Sequence, residues 1–141
     1  MNVYAESSAV LAWLLDESSA PEVRQILGDA EIIVASDLTL IECERVLLRA
    51  VYLKELSEAE AADRRAHVAA SAAHWHILRM ASEIVDRARQ PFPGEPIRTL
   101  DAIHLASVLV ARSAVPGLGL LSLDDRMRRA AKGFGVDVVP A

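Results

Sequence analysis

Four carboxylates stand where an apolar run hands over to a helical pattern: Glu6 in NVYAESSAV, Glu42 in LTLIECERV, Asp101 in RTLDAIHLA and Asp124 in LLSLDDRM. Acids gathered at one place repel and raise one another's pKa unless cations neutralise them. Hard dications such as Mg²⁺ or Mn²⁺ suit shells of carboxylate and water. Such ions lower the pKa of a bound water and offset charge on a phosphate. An acid cluster of this kind points to metal-dependent phosphodiester or phosphate chemistry. Three of the four acids also have a purely local use. Glu42 is placed to close a capping box with Thr39. Asp101 sits near a helix start, where the dipole favours an acid, and Asp124 is placed to cap the last helix. Glu6 has no such use, because Ser7 or Ser8 can supply the cap and glutamate caps poorly.

The elements that must position these acids alternate along the chain. Strands are expected at 2–5, 31–36, 75–79, 118–123 and 136–139. EIIVAS, with its β-branched apolar run, reads as a buried strand. Helices are expected near 8–16, from Pro21, over 38–53, from Ser57 to about 72, over 81–89, from a Thr99 cap, and from Asp124 to Gly133 or Gly135. Ser57 and Glu60 form a capping box, and PFPGEPIR is a loop. Strands alternating with helices imply a mostly parallel sheet covered on both faces, a three-layer α/β/α sandwich. In such sheets ligands lie outside the carboxyl ends of the strands, at the switch point in strand order. All four acids are expected at that edge.

The totals bound the answer. A chain of 141 residues fits one domain, 1–141, with a real core. It is 52% hydrophobic but only 4% aromatic, so that core is mostly aliphatic. The single cysteine, Cys43, permits no internal disulfide, and it reads as a small buried apolar residue with no paired base. There is no membrane-length apolar run and no signal-peptide pattern, so a cytoplasmic setting without membrane contact is expected. A net charge of −5 argues against coating nucleic acid by bulk charge. It leaves room for an enzyme that holds a phosphodiester through metal ions.

With these residues in place, nearly the whole chain resembles the PIN-domain ribonucleases, and among them the VapC-type toxins of bacterial toxin–antitoxin pairs. VYAESSAV, SDLTLIECERVLLR, RTLDAIHLASVL and LLSLDDRMRRAAKGFGVDVV carry the resemblance. In that family the first motif usually has an aspartate and then small hydroxyl residues; here Glu6, Ser7 and Ser8 hold those positions. The second motif's acid matches Glu42, the third's Asp101, and the Thr/Ser-x-Asp of the fourth matches Ser122 and Asp124. The resemblance implies a PIN-like fold with a five-stranded parallel sheet, Mg²⁺ or Mn²⁺ as cofactor, and endonucleolytic cleavage of RNA as a toxin. Glu6, Asp101 and Asp124 are then expected as metal ligands, with Glu42 completing the catalytic set. Glu6 keeps the family's charge but adds a methylene. An alternative is therefore a catalytically weak PIN-fold binding protein.

Around these acids, Ser8, Ser122, Arg98 and Arg126 are candidates to touch phosphate or orient a carboxylate. Arg126 begins a basic cluster with Arg128, Arg129 and Lys132, read either as a solvated helix face or as local phosphate steering. His104, one turn beyond Asp101, could support the acids from behind; His67, His74 and His76 have no partner pattern. The first and third helices carry more apolar residues than one core-facing stripe needs. By resemblance they would form a groove near Trp13, Leu14 and Leu47 for an antitoxin helix, and the chain would be a homodimer. A dehalogenase-type phosphatase would need two aspartates two apart after the first strand, where this chain has Ser7 and Ser8. A receiver domain would need a late lysine off a strand, and Lys132 lies on a helix.

Overall fold

The strands are short, two to four residues each. In the computed structural model, which describes residues 1–141, they are β1 (Val3–Ala5), β2 (Ile33–Ser36), β3 (His76–Leu78), β4 (Gly119–Leu121) and β5 (Val138–Val139). All pairings are parallel and the order is β3-β2-β1-β4-β5. The sheet is therefore wholly parallel. β1 is central: Val3 pairs with Ile33 on one side and Gly119 on the other. The chain steps outward from β1 to β3, then returns across the sheet to β4. The switch point lies between β1 and β4, so whatever follows those two strands borders the crevice. Gly119 opens β4 where a Cβ would stand 3.2 Å from the Asp137 carbonyl oxygen, so a side chain there would crowd β5's approach.

Seven helices cover the sheet: α1 (Ser7–Leu14), α2 (Ala20–Asp29), α3 (Asp37–Tyr52), α4 (Glu58–Ala72), α5 (Ser82–Ala88), α6 (Thr99–Ala114) and α7 (Asp125–Gly133). Alternation along each strand sends neighbours to opposite faces. Tyr4, Val34 and Leu120 join Leu105 and Met127 in the core under α5, α6 and α7. Val3, Ala5, Ala35 and Leu121 join Val10 and Val23 in the core under α1 to α4. Each fully buried leucine, such as Leu105 or Leu120, contributes roughly 1.5–3 kcal/mol through apolar burial.

The expected helix caps shift toward the N-terminus in three places, by one to three residues. Glu6, not Ser7 or Ser8, occupies the N-cap position of α1, with extended backbone and no side-chain cap bond. Ser7 and Ser8 are helical, and their hydroxyls are spent on other partners. Thr39 does not box with Glu42: Ser36 caps α3 and Thr39 returns its hydrogen bond. Arg98 precedes α6, so Thr99 is its first residue rather than its cap. The Ser57–Glu60 box forms as expected.

The residues expected to lie near the groove are largely buried, and of the three Trp13 borders a cavity of about 280 Å³ with Leu27 and Trp75. Leu47 is fully buried, Leu14 is 3% exposed, and Trp13 is 8% exposed and packs edge-on against His67. Their apolar surface is used inside the core, because α1 and α3 pack on each other as well as on the sheet. The apolar residues left outside on this side are Ile41, Leu48, Tyr52 and Leu53. No helix is long and apolar enough to cross a membrane.

Candidate active site

Three groups of polar side chains stand along the carboxyl edge of β1, β2 and β4. The first forms around Glu6, which follows β1 and is 6% exposed. Ser122, which follows β4 and is fully buried, donates to Glu6 Oε2 at 2.7 Å. Ser8 donates to the same oxygen. Ser8 Oγ accepts the Leu123 N–H at 2.9 Å, and Ser122 Oγ accepts the Asp124 N–H at 3.1 Å. β1 and β4 are thus tied together beyond their last ladder bond by two hydroxyls sharing one carboxylate oxygen.

The second group forms around Glu42, one turn into α3. Ser7 Oγ donates to Glu42 Oε1 at 2.5 Å, and His104 Nε2 lies 2.5 Å from that oxygen. The buried His104 ring places Nδ1 2.8 Å from the Tyr4 hydroxyl, which lies 3.0 Å from Ser36 Oγ. Burial pushes the Glu42 carboxyl up. The hydrogen bonds from His104 and Ser7, with the charge of His104, outweigh burial and hold it below the usual carboxylate range. Burial pushes the Tyr4 hydroxyl up to about 12, so it stays protonated. Burial, with the charges of Glu42 and Glu6, pushes the Cys43 thiol up to about 12 as well. Cys43 is a neutral core thiol, as its neighbours in the sequence suggested.

The third group is Asp101 and Asp124. Asp101 lies in the first turn of α6. Partial burial and then the charge of Asp124 push its carboxyl up, against the pull of Arg126, His104 and Arg98. Asp124 caps α7, accepting the N–H groups of Arg126 at 2.8 Å and Met127 at 3.3 Å. The local use foreseen for Asp124 is therefore real, and its charge also reaches Asp101. Arg98, Asp101, Arg126 and Arg129 line one cavity of about 620 Å³. Arg128 does not join them: its guanidinium donates to the Ser122 carbonyl at 2.8 Å and the Pro140 carbonyl at 2.6 Å. It ties the ends of β4 and β5 together.

The donor set is all oxygen and mostly anionic, which matches a hard dication. The charge of Asp124 adds to burial in raising the cost of ionising Asp101, an imbalance a cation relieves. The four acids do not close into a ready three-ligand cage. Glu6 and Glu42 each have one oxygen engaged by protein donors, Oε2 and Oε1 respectively.

A PIN-domain model matches residues 3–133. The chain belongs to the PIN-domain family, in its VapC branch. It is 36% identical over 137 residues to Ribonuclease VapC46 of Mycobacterium tuberculosis, covering 97% of this chain and 95% of that one. Among solved structures, a toxin–antitoxin complex from Klebsiella pneumoniae superposes with a TM-score of 0.64 at 18% identity, covering 97% of this chain and 95% of the other. VapC20 of Mycobacterium tuberculosis, a sarcin–ricin loop cleaving toxin, superposes at 0.62 with 14% identity over 91% and 94% of the two chains. Those structures share the fold of this PIN domain.

The four acids foreseen from sequence all lie at the expected edge of the PIN domain, as do Ser8, Ser122, Arg98 and Arg126. Three residues carry more than the sequence suggested. Ser7, a possible cap and a hydroxyl of the first motif by sequence, bonds Glu42. Tyr4 was read only as strand, although a tyrosine alternating with Val3 and Ala5 signals a polar tip on the opposite face. Arg129 was one member of a cluster, and the cavity singles it out with Arg126.

Proposed function

We propose that this PIN domain is the ribonuclease toxin of a toxin–antitoxin pair, cutting RNA phosphodiesters at a divalent-ion site on the β1–β4 edge. The observation that carries the reading is the meeting of Glu6, Ser122 and the Asp124 N–H at the switch point, with Asp101 in an arginine-lined cavity and within reach of the Asp124 charge. The ribonuclease name of the relative at 36% identity supports it.

Glu6, Asp101 and Asp124 would hold the ion, Mg²⁺ or Mn²⁺, with Glu42 beside it. When bound, that ion supplies Lewis acidity for a water and charge relief for a phosphate. The protein's own groups do the rest. Arg98, Arg126 and Arg129 attract the RNA backbone into a cavity on an otherwise acidic molecule. Ser8 and Ser122 hold the longer Glu6 side chain by one oxygen, so its extra methylene does not leave it free. Glu42, kept ionised, orients a water by accepting its hydrogen bond. The water oxygen adds to phosphorus as the bond to the leaving sugar oxygen breaks.

The partner proposed is a cognate antitoxin, seated on the outward apolar residues of α3 rather than on Trp13, Leu14 and Leu47. A groove of about 400 Å³ between α3 and α4, lined by Leu40, Ile41, Val68 and Ala69, suits an amphipathic helix. A homodimer in a cytoplasmic setting completes the proposal. The residue that favours the weaker, binding-only alternative is Glu6. The test is antitoxin-free protein incubated with labelled RNA and Mn²⁺ or Mg²⁺, with a chelator control and Asp101→Asn. Cleavage lost with chelator and with the variant supports the enzyme. No cleavage and no ion binding at millimolar concentration refutes it.

A further inference from the structure

The proposed reaction uses Glu42 but not the residues behind it. His104 is fully buried on the inner face of α6, and both of its ring nitrogens are engaged. Nε2 lies 2.5 Å from Glu42 Oε1, and Nδ1 lies 2.8 Å from the Tyr4 hydroxyl. Ser7 donates to the same Glu42 oxygen. An ionised carboxylate only accepts, so Nε2 must carry a hydrogen. The Tyr4 hydroxyl, set between Nδ1 and Ser36 Oγ, keeps the ring from flipping. Tyr4 comes from β1, Ser36 from the end of β2 and His104 from α6, so three rigid elements hold one imidazole. Glu42 Oε1 is thereby fixed, while its side chain keeps 27% exposure.

We infer that His104, braced by Tyr4, is a positioning residue that aims the Glu42 carboxylate into the site. It touches neither substrate nor ion and acts through Glu42 alone. The inference rests on the ribonuclease reading for its effect on turnover and on the hydrogen-bond geometry for the contact itself.

The test pairs two substitutions that differ in which ring nitrogen they imitate. His104→Gln places an amide N–H near the position of Nε2 and keeps a donor for Glu42. His104→Asn imitates the Nδ1 side and does not reach it. His104→Asn is expected to lower kcat by about 10- to 100-fold, the usual effect of losing a partner that orients a site ligand, with KM for RNA unchanged within about twofold. His104→Gln is expected to recover most of that loss. In a Glu42→Gln background, His104→Asn should add no further loss, because its route to the reaction is already cut. Equal losses in Asn and Gln variants of equal thermal stability would overturn the inference. So would losses that multiply with Glu42→Gln.

A second measurement does not depend on turnover. In the wild-type protein, the His104 Nε2–H should give a downfield imidazole proton resonance protected from exchange, and Glu42→Gln should shift it. Its absence overturns the positioning contact even in an active enzyme. Its presence in a protein that cuts no RNA supports the contact while refuting the ribonuclease reading.

Discussion

Ser122→Ala removes one oxygen atom and tests the tie between β1 and β4. The hydroxyl is fully buried and does two jobs: it donates to Glu6 Oε2 at 2.7 Å and accepts the Asp124 N–H at 3.1 Å. A hydrogen bond to a charged group contributes about 1.5–3 kcal/mol. Ser8 still donates to the same oxygen in the variant, so the low half of that range applies to Glu6. Asp124 is half-exposed, so water can take over its N–H at a cost of a few tenths of a kcal/mol. The expected loss is about 2 kcal/mol, which for a chain of this size lowers Tm by roughly 4–8 °C. Urea unfolding in chelator-treated buffer measures it without an ion's contribution. Ser8→Ala should cost less, about 0.5–1 kcal/mol, because Ser8 lies nearer solvent. The double variant should exceed the sum, since it leaves Glu6 Oε2 buried without a donor. A Ser122→Ala loss under about 0.5 kcal/mol, or strict additivity with Ser8→Ala, would refute the shared-oxygen argument.

Asp101→Asn should abolish RNA cleavage, by about 100-fold or more, while raising stability in ion-free buffer. The folded state raises the Asp101 carboxyl, so its ionisation erodes stability as pH climbs above the unfolded value, and urea melts from pH 4 to pH 7 should lose that slope in the variant. Glu42 has the opposite sign: its folded value lies below its ordinary 4.5, so its contribution is fully present above that pH and fades as acid titrates the folded carboxylate. Glu42→Gln should flatten that acid limb. Glu6→Asp should raise the cleavage rate, measured on labelled RNA, yet cost about 1–2 kcal/mol, because the shorter side chain cannot keep both hydroxyl bonds. Leu47→Ala should destabilise by about 2–5 kcal/mol in thermal or urea melts, whereas Tyr52→Ser, at an 85% exposed position, should change stability by under about 0.5 kcal/mol and weaken only antitoxin capture.

Much of this molecule was legible in the order of its residues. Alternating apolar strands and helices required a parallel sheet, and a parallel sheet puts the residues after β1 and β4 at one edge. Glu6, Ser122 and Asp124 could be placed there from sequence alone because each lies within a few residues of a strand end. Cap positions were less legible. Ser7, Ser8 and Thr39 are good caps by type, and local pattern does not reveal that Glu42 and Glu6 take the two serine hydroxyls or that Ser36 caps α3 in place of Thr39.

Sequence by itself determined the fold class, the family and the edge where the acids gather, since these follow from periodicity and from motifs a few residues long. Tertiary structure alone decided which acid meets which partner. His104 and Glu42 are 62 residues apart, and His104 and Tyr4 are 100 apart. Only the crossover from β3 to β4, which lays α6 against β1, brings them within hydrogen-bonding distance. Burial of Trp13, Leu14 and Leu47 was decided in the same way. An apolar residue on a helix has no preferred neighbour until the helices pack, and packing sent these three inward while leaving Tyr52 and Ile41 to solvent.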